Sequence, residues 1–138
     1  MKPKSLYLKL LFGAVMCMML TIGVHAQSEI TDATVTKNEV TGQAGVYSGA
    51  FIVLLSDSND ISKVEVQVGT ENGSSDLSNK TFDWDVTTGL PSGCSYQRTG
   101  NTLTLGVGNF NETYTYFCRV RIRDNSGNWS NYYQFITN

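Results

Sequence analysis

Arg119, Arg121 and Arg123 stand at alternate positions of one segment, and Trp129, Tyr132 and Tyr133 follow shortly after. Alternate residues of a β-strand point the same way, so the three guanidinium groups share one face and repel one another unless something flat or acidic lies over them. Stacking a guanidinium on an aromatic face contributes ~0.5 to 2 kcal/mol and relieves that repulsion. Trp129 with Tyr132 or Tyr133 supplies the rings. Two uses are open: a self-stacked ladder that holds the fold together, or an exposed patch that binds a ligand. The ladder is favoured, because stacks of this kind more often stabilise than recognise.

Other groups could do chemistry, but each has a plainer explanation. Asp83 and Asp85 lie two apart on one predicted strand, with Cα atoms ~7 Å apart, a separation at which paired carboxylates occur in glycosidases. With no other polar cluster beside them they read as a solvated sheet face. Serine and threonine are plentiful, but the single histidine is His25, and Lys37, Lys63 and Lys80 sit in no recognisable serine-lysine motif. Asp57-Ser58-Asn59-Asp60 offers hard oxygen ligands of the kind calcium takes, yet lacks the length, glycine and distal Glu of an EF-hand loop; a turn between strands explains the same residues. Asn72, Asn79, Asn111 and Asn128 each open an Asn-x-Ser/Thr sequon, a motif frequent by chance in such a chain. No catalytic residue, metal ligand or cofactor is predicted, and the chain is read as not an enzyme.

The compartment follows from the N-terminus. Met1 to Lys9 is a basic stretch, and Leu10 to Val24 is an uncharged, mostly apolar run ending in Val24-His25-Ala26. That run is short for a membrane span of ~20 residues and fits a cleaved export signal over residues 1–26. Lipidation at Cys17 is the competing reading; it is disfavoured because Met16 replaces the small residue a lipobox wants. Removing the segment takes away Lys2, Lys4 and Lys9, all four methionines, Cys17 and His25, and leaves seven basic residues against 12 acidic ones. A chain without histidine and with an acidic excess makes nucleic acid an unsuitable partner. The expected destination is the periplasm, the cell surface or the medium, with no transmembrane helix after cleavage, and one domain over residues 27–138.

That domain is strand-like throughout. Ile30 to Lys37 reads as an edge strand, and Val46 to Leu55, apolar on both faces, as a central one. Ile61 to Val68 alternates Val64, Val66 and Val68 with Lys63, Glu65 and Gln67, the pattern of a strand with one wet side. Phe82, Trp84 and Val86 alternate with Thr81, Asp83 and Asp85. A hairpin with Thr99-Gly100 as its loop would pair Arg98 with Asn101, Tyr96 with Leu103 and Cys94 with Leu105. The last two strands are Thr113 to Arg123 and Trp129 to Thr137. Seven or eight short strands in this length suit a two-sheet antiparallel β-sandwich, with Val53, Val64, Val66, Leu103, Leu105, Val120 and Ile122 in its core. The hairpin register turns Cys94 inward, as the alternation does Cys118. They are the two cysteines left in an oxidising compartment, so a Cys94–Cys118 disulfide is expected.

The stretch from Tyr116 through Arg123-Asp124-Asn125-Ser126-Gly127-Asn128 to Trp129-Ser130 resembles the penultimate strand, turn and last strand of fibronectin type III and related immunoglobulin-like domains. There, a tyrosine near the start of strand F tacks the corner to the backbone, and alternating apolar residues face the core. Tyr116, Cys118, Val120 and Ile122 match that spacing, and Phe110 matches the apolar residue ahead of the corner. Trp129-Ser130-Asn131-Tyr132-Tyr133 is similar to the Trp-Ser-x-Trp-Ser box of cytokine-receptor type III domains, with Tyr in place of the second Trp. The resemblance implies an immunoglobulin or fibronectin type III-like sandwich. The expected function is an exported, non-catalytic interaction or structural module of the cell envelope, holding a protein partner or a glycan through loops or a sheet face. A small secreted enzyme or inhibitor with an unrecognised site is the alternative. A glycan would need flat, exposed rings from Trp84, Tyr96, Trp129, Tyr132 and Tyr133.

Overall fold

A computed structural model of the chain describes residues 28–39, 42–86, 89–111 and 114–137. The stretch 1–26 expected to be an export signal, Cys17 included, lies outside them. Among the described residues eight strands form two antiparallel sheets: β1 (Ile30–Glu39), β2 (Val46–Leu55), β3 (Ile61–Gly69), β4 (Ser78–Asp83), β5 (Ser95–Thr99), β6 (Thr102–Asn111), β7 (Tyr116–Asp124) and β8 (Tyr133–Thr137). One sheet has the order β1-β2-β6-β5 and the other β4-β3-β7-β8. No described helix is long and apolar enough to cross a membrane.

The two sheets face each other with β1 against β8 and β5 against β4, where Tyr96 meets Phe82 with ring centroids 6.4 Å apart. Each sheet buries the alternate residues of its central strands, because a period of two is the only one that keeps an apolar set on one face. Val53, Val64, Val66, Leu103, Leu105, Val120 and Ile122 are all buried, as the alternation predicts. Phe51 and Phe82 are the largest fully buried side chains among the described residues.

One corner is fixed by a single phenol. The Asn111 backbone N–H donates to Tyr116 Oη at 2.6 Å, and the Tyr116 ring meets Phe110 edge-on at 4.9 Å. This tie closes the connection from β6 to β7 and sets the parity of β7, so that Phe117, Arg119, Arg121 and Arg123 face outward and Cys118, Val120 and Ile122 inward.

Three details differ from the sequence-based expectation. The β5–β6 hairpin pairs Thr99 with Thr102, Arg98 with Leu103 and Tyr96 with Leu105, so its loop is Gly100-Asn101 and not Thr99-Gly100. Gly100 takes the positive φ of 58° at the first loop position, and Asn101 joins the loop because its carbonyl accepts Leu55 N–H. The segment from Trp129 to Tyr132 is not a regular strand: it leaves the sheet after one bridge between Arg123 and Trp129.

Third, the expected Cys94–Cys118 bridge is absent, and both side chains are free thiols. Cys118 lies on β7, across from β2, whereas Cys94 precedes β5 at the far edge of the opposite sheet. Two strand spacings and the gap between layers separate them, each displacement ~10 Å, and a disulfide needs Cα atoms within ~7 Å. Facing inward was necessary for a bridge, but not sufficient.

Candidate functional site

Successive outward residues of a strand are ~6.8 Å apart, about twice the contact distance between carbon atoms, so the gap between two neighbouring arginines admits one flat ring. Three arginines on β7 create two such gaps, and Trp129 and Tyr132 fill them. The Arg121 guanidinium carbon lies 4.4 Å from the Trp129 ring centroid and 4.5 Å from that of Tyr132. Arg119 covers the other face of Tyr132 at 4.4 Å, and Arg123 approaches Trp129 at 6.0 Å. The order along β7 is therefore Arg123, Trp129, Arg121, Tyr132, Arg119, with each ring held between two cations.

The chain reaches this position because Ser130 replaces a strand partner. Its backbone N–H donates to the Ile122 carbonyl at 2.8 Å, and its hydroxyl accepts the Ile122 N–H at 3.1 Å. The side chain thus satisfies a β7 donor that a continuing strand would have taken, which frees Trp129 and Tyr132 to lie over the face. The turn before it is closed by Asp124, whose carboxylate accepts the backbone and side-chain N–H groups of Asn128 at 2.7 and 3.0 Å. Gly127, at φ 95°, lets its carbonyl accept Arg123 Nε at 3.0 Å; a Cβ there would come within 3.0 Å of the guanidinium.

Beneath the stack lie two residues that the sequence pattern assigns to a wet face. Glu65 and Gln67 are 7% and 6% exposed. Glu65 Oε2 accepts Arg121 Nη2 at 3.0 Å, and its Oε1 accepts Tyr132 Oη–H and Gln67 Nε2–H, both at 2.6 Å. Gln67 Oε1 in turn accepts Arg119 Nε at 2.6 Å. Burial pushes the Glu65 carboxyl up, but the hydrogen bonds of Tyr132 and Arg121 and the charges of Arg121 and Arg119 outweigh it and hold the group below its ordinary range. One carboxylate therefore anchors a ring, an arginine and an amide. The signal that could have revealed it was the pairing itself: β3 supplies Glu65 and Gln67 directly opposite Arg121 and Arg119.

The other aromatic candidates are engaged as well. Trp84 is 8% exposed and carries Arg98 over its ring at 4.7 Å; Tyr96 Oη donates to the Trp84 carbonyl at 2.9 Å. Tyr133 Oη donates to Asp32 at 3.2 Å. Asp83 pairs with Lys63 at 2.5 Å, whereas Asp85 lies past the end of β4 and lines a cleft at the end of the sandwich. Asp57 accepts Asn59 N–H and Nδ2–H at 2.9 and 2.7 Å, the geometry of a turn.

At that end the connections β2–β3, β4–β5, β5–β6 and β7–β8 meet around a polar cleft of about 470 Å³, lined by Ser58, Asn59, Asp60, Asp85, Arg98 and Asn125 beside Trp84. The loops are tied to one another. Ser28 Oγ donates to the Asn59 carbonyl at 2.7 Å, Ser62 Oγ to the Asp124 carbonyl at 2.7 Å, and the Asn125 N–H to Asp60 Oδ1 at 3.3 Å. Asp60 sits at φ 58°, a left-handed conformation that is uncommon outside glycine and is favoured there mainly by Asn and Asp.

No family model matches the chain, and none of the curated proteins does.

Proposed function

We propose that the chain is an exported, non-catalytic interaction module of the cell envelope that takes a protein partner at its loop end. The N-terminal sequence pattern supports export to the periplasm, the surface or the medium. The strand order, with β1, β2, β6 and β5 in one sheet, and the Tyr116 tie at the corner support the likeness to immunoglobulin and fibronectin type III-like sandwiches.

The observation that carries the reading is the end cleft. Loops tied to a rigid sandwich present Arg98, Asp60, Asp85 and three amide or hydroxyl side chains around one concavity, which is the form that recognition sites on β-scaffolds take. A protein surface suits it better than a glycan, because the rings a sugar would stack on are used internally: Trp129 and Tyr132 lie between arginines and Trp84 lies under Arg98.

Capture from the envelope fraction of the producing cells tests this, run beside a glycan array. A protein should be retained by the wild-type chain and lost with Arg98→Glu, while the array stays blank. Binding to a glycan, or capture indifferent to Arg98→Glu, would overturn the proposal.

A further inference from the structure

A strand at the edge of a sheet exposes unpaired N–H and C=O groups, and natural proteins guard such edges with charges, bulges, prolines or inward-pointing lysines. Three of the four edges here are guarded in these ways. β1 carries Asp32, Lys37 and Glu39 and a register shift near Ile30. β4 sets Lys80 on the core-facing side, in register with Val66, and ends in Asp83. β5 carries Arg98.

The fourth edge is bare. β8 reads Tyr133-Gln134-Phe135-Ile136-Thr137, with no charge, no proline and no bulge, and its residues are types that favour strands. It forms a ladder with β7 alone; β1 runs near it and is linked by the Tyr133–Asp32 hydrogen bond. Ile136 is 58% exposed, and Phe135, though on the inner face, is half-buried. Beside the edge, Phe117 stands opposite Ile136 on the outer face, and the two line a groove of about 190 Å³ with Arg119 and Gln134.

We propose that β8 pairs antiparallel with β8 of a second copy of this chain. An antiparallel pair centred on Phe135 is self-complementary. It sets Phe135 against Phe135, Ile136 against Gln134 and Tyr133 against Thr137, with no like charges opposed. The charge distribution allows the same partner: β8 itself carries no charge and is flanked by Arg119 on β7 and Asp32 on β1, so the acidic excess of the chain does not oppose a second copy here. A five-residue ladder with the Phe117–Ile136 patch is small beside the ~800 Å² per partner of a stable dimer, so association is concentration-dependent. The pair joins the β4-β3-β7-β8 sheets of the two copies into one. The loop-end clefts, at the other end of β8 from Ile136, remain open and face opposite ways.

Sedimentation velocity on the exported chain, from ~1 to ~500 μM, tests the pairing. The wild type should pass from monomer to dimer. Ile136→Lys, at an exposed position, should weaken the dimer at least ~10-fold with an unchanged melting temperature. Adding Gln134→Glu to Ile136→Lys places opposite charges across the two-fold axis and should restore the dimer. A wild type that stays monomeric throughout, whether or not it takes up a strand from another protein, overturns the proposal. So does a dimer indifferent to Ile136→Lys, or one that the second substitution fails to restore.

Discussion

Trp129 and Glu65 show how a single side chain acts through its neighbours. Trp129 contributes both buried area and two cation contacts, so Trp129→Ala should lower stability by ~1 to 3 kcal/mol in chemical denaturation. An unchanged transition would mean that the ring binds something other than this protein's own arginines. Glu65 adds a pH dependence whose sign is set by its depressed folded-state pKa. Its contribution is fully present above the unfolded value near 4.5 and is lost as the pH falls through the lower folded value. Asp57, Asp76 and Asp124 are depressed too, so the wild type alone does not isolate it. The difference between wild type and Glu65→Gln does: it should be largest near neutrality and shrink below about pH 4.5. A pH-independent difference would remove Glu65 from the anchoring role.

At the scale of elements, the arm from Trp129 to Tyr132 depends on the bonds that Ser130 makes with Ile122. Ser130→Ala deletes the acceptor for the Ile122 N–H and should cost about 1 to 2 kcal/mol, because that part-buried donor is left unpaired. Hydrogen exchange at the Ile122 amide should accelerate more than at Val120, one residue pair deeper in the sheet. Equal protection in variant and wild type would show that the backbone alone holds the arm. The alternation of β7 made the arginine face legible beforehand. The departure of the arm from the sheet was not, since aromatic and β-branched residues run from Trp129 to Thr137 on either side of Ser130-Asn131 and the decisive bond comes from a serine side chain.

For the whole molecule, the separation of the two cysteines sets a chemical expectation. Cys118 is 2% exposed, and burial pushes its thiol up to about 12; Cys94 is half-buried just before β5, its thiol 3.8 Å from the Ser92 carbonyl. Alkylation of the native protein at neutral pH should therefore label Cys94 and spare Cys118, and both should react after unfolding without reductant. Mass spectrometry that finds no reactive thiol in the unfolded, unreduced chain would restore the bridge.

Period-two alternation already determined the β-sandwich, its central core residues and the outward arginines, because these follow from which way neighbouring residues on a strand must point; the rings that cover the arginines followed from the repulsion that three like charges on one face must relieve. Strand pairing across the chain decided the rest. Glu65 and Gln67 read as solvated until β3 was placed beside β7 with the aromatic arm above it. Cys94 and Cys118 read as partners until their strands were assigned to places two positions apart in facing sheets. The loop-end cleft joins residues from four connections, and the bare edge of β8 is visible only once its neighbours are known. Burial, distance and edge position are relations between segments, and tertiary packing sets them.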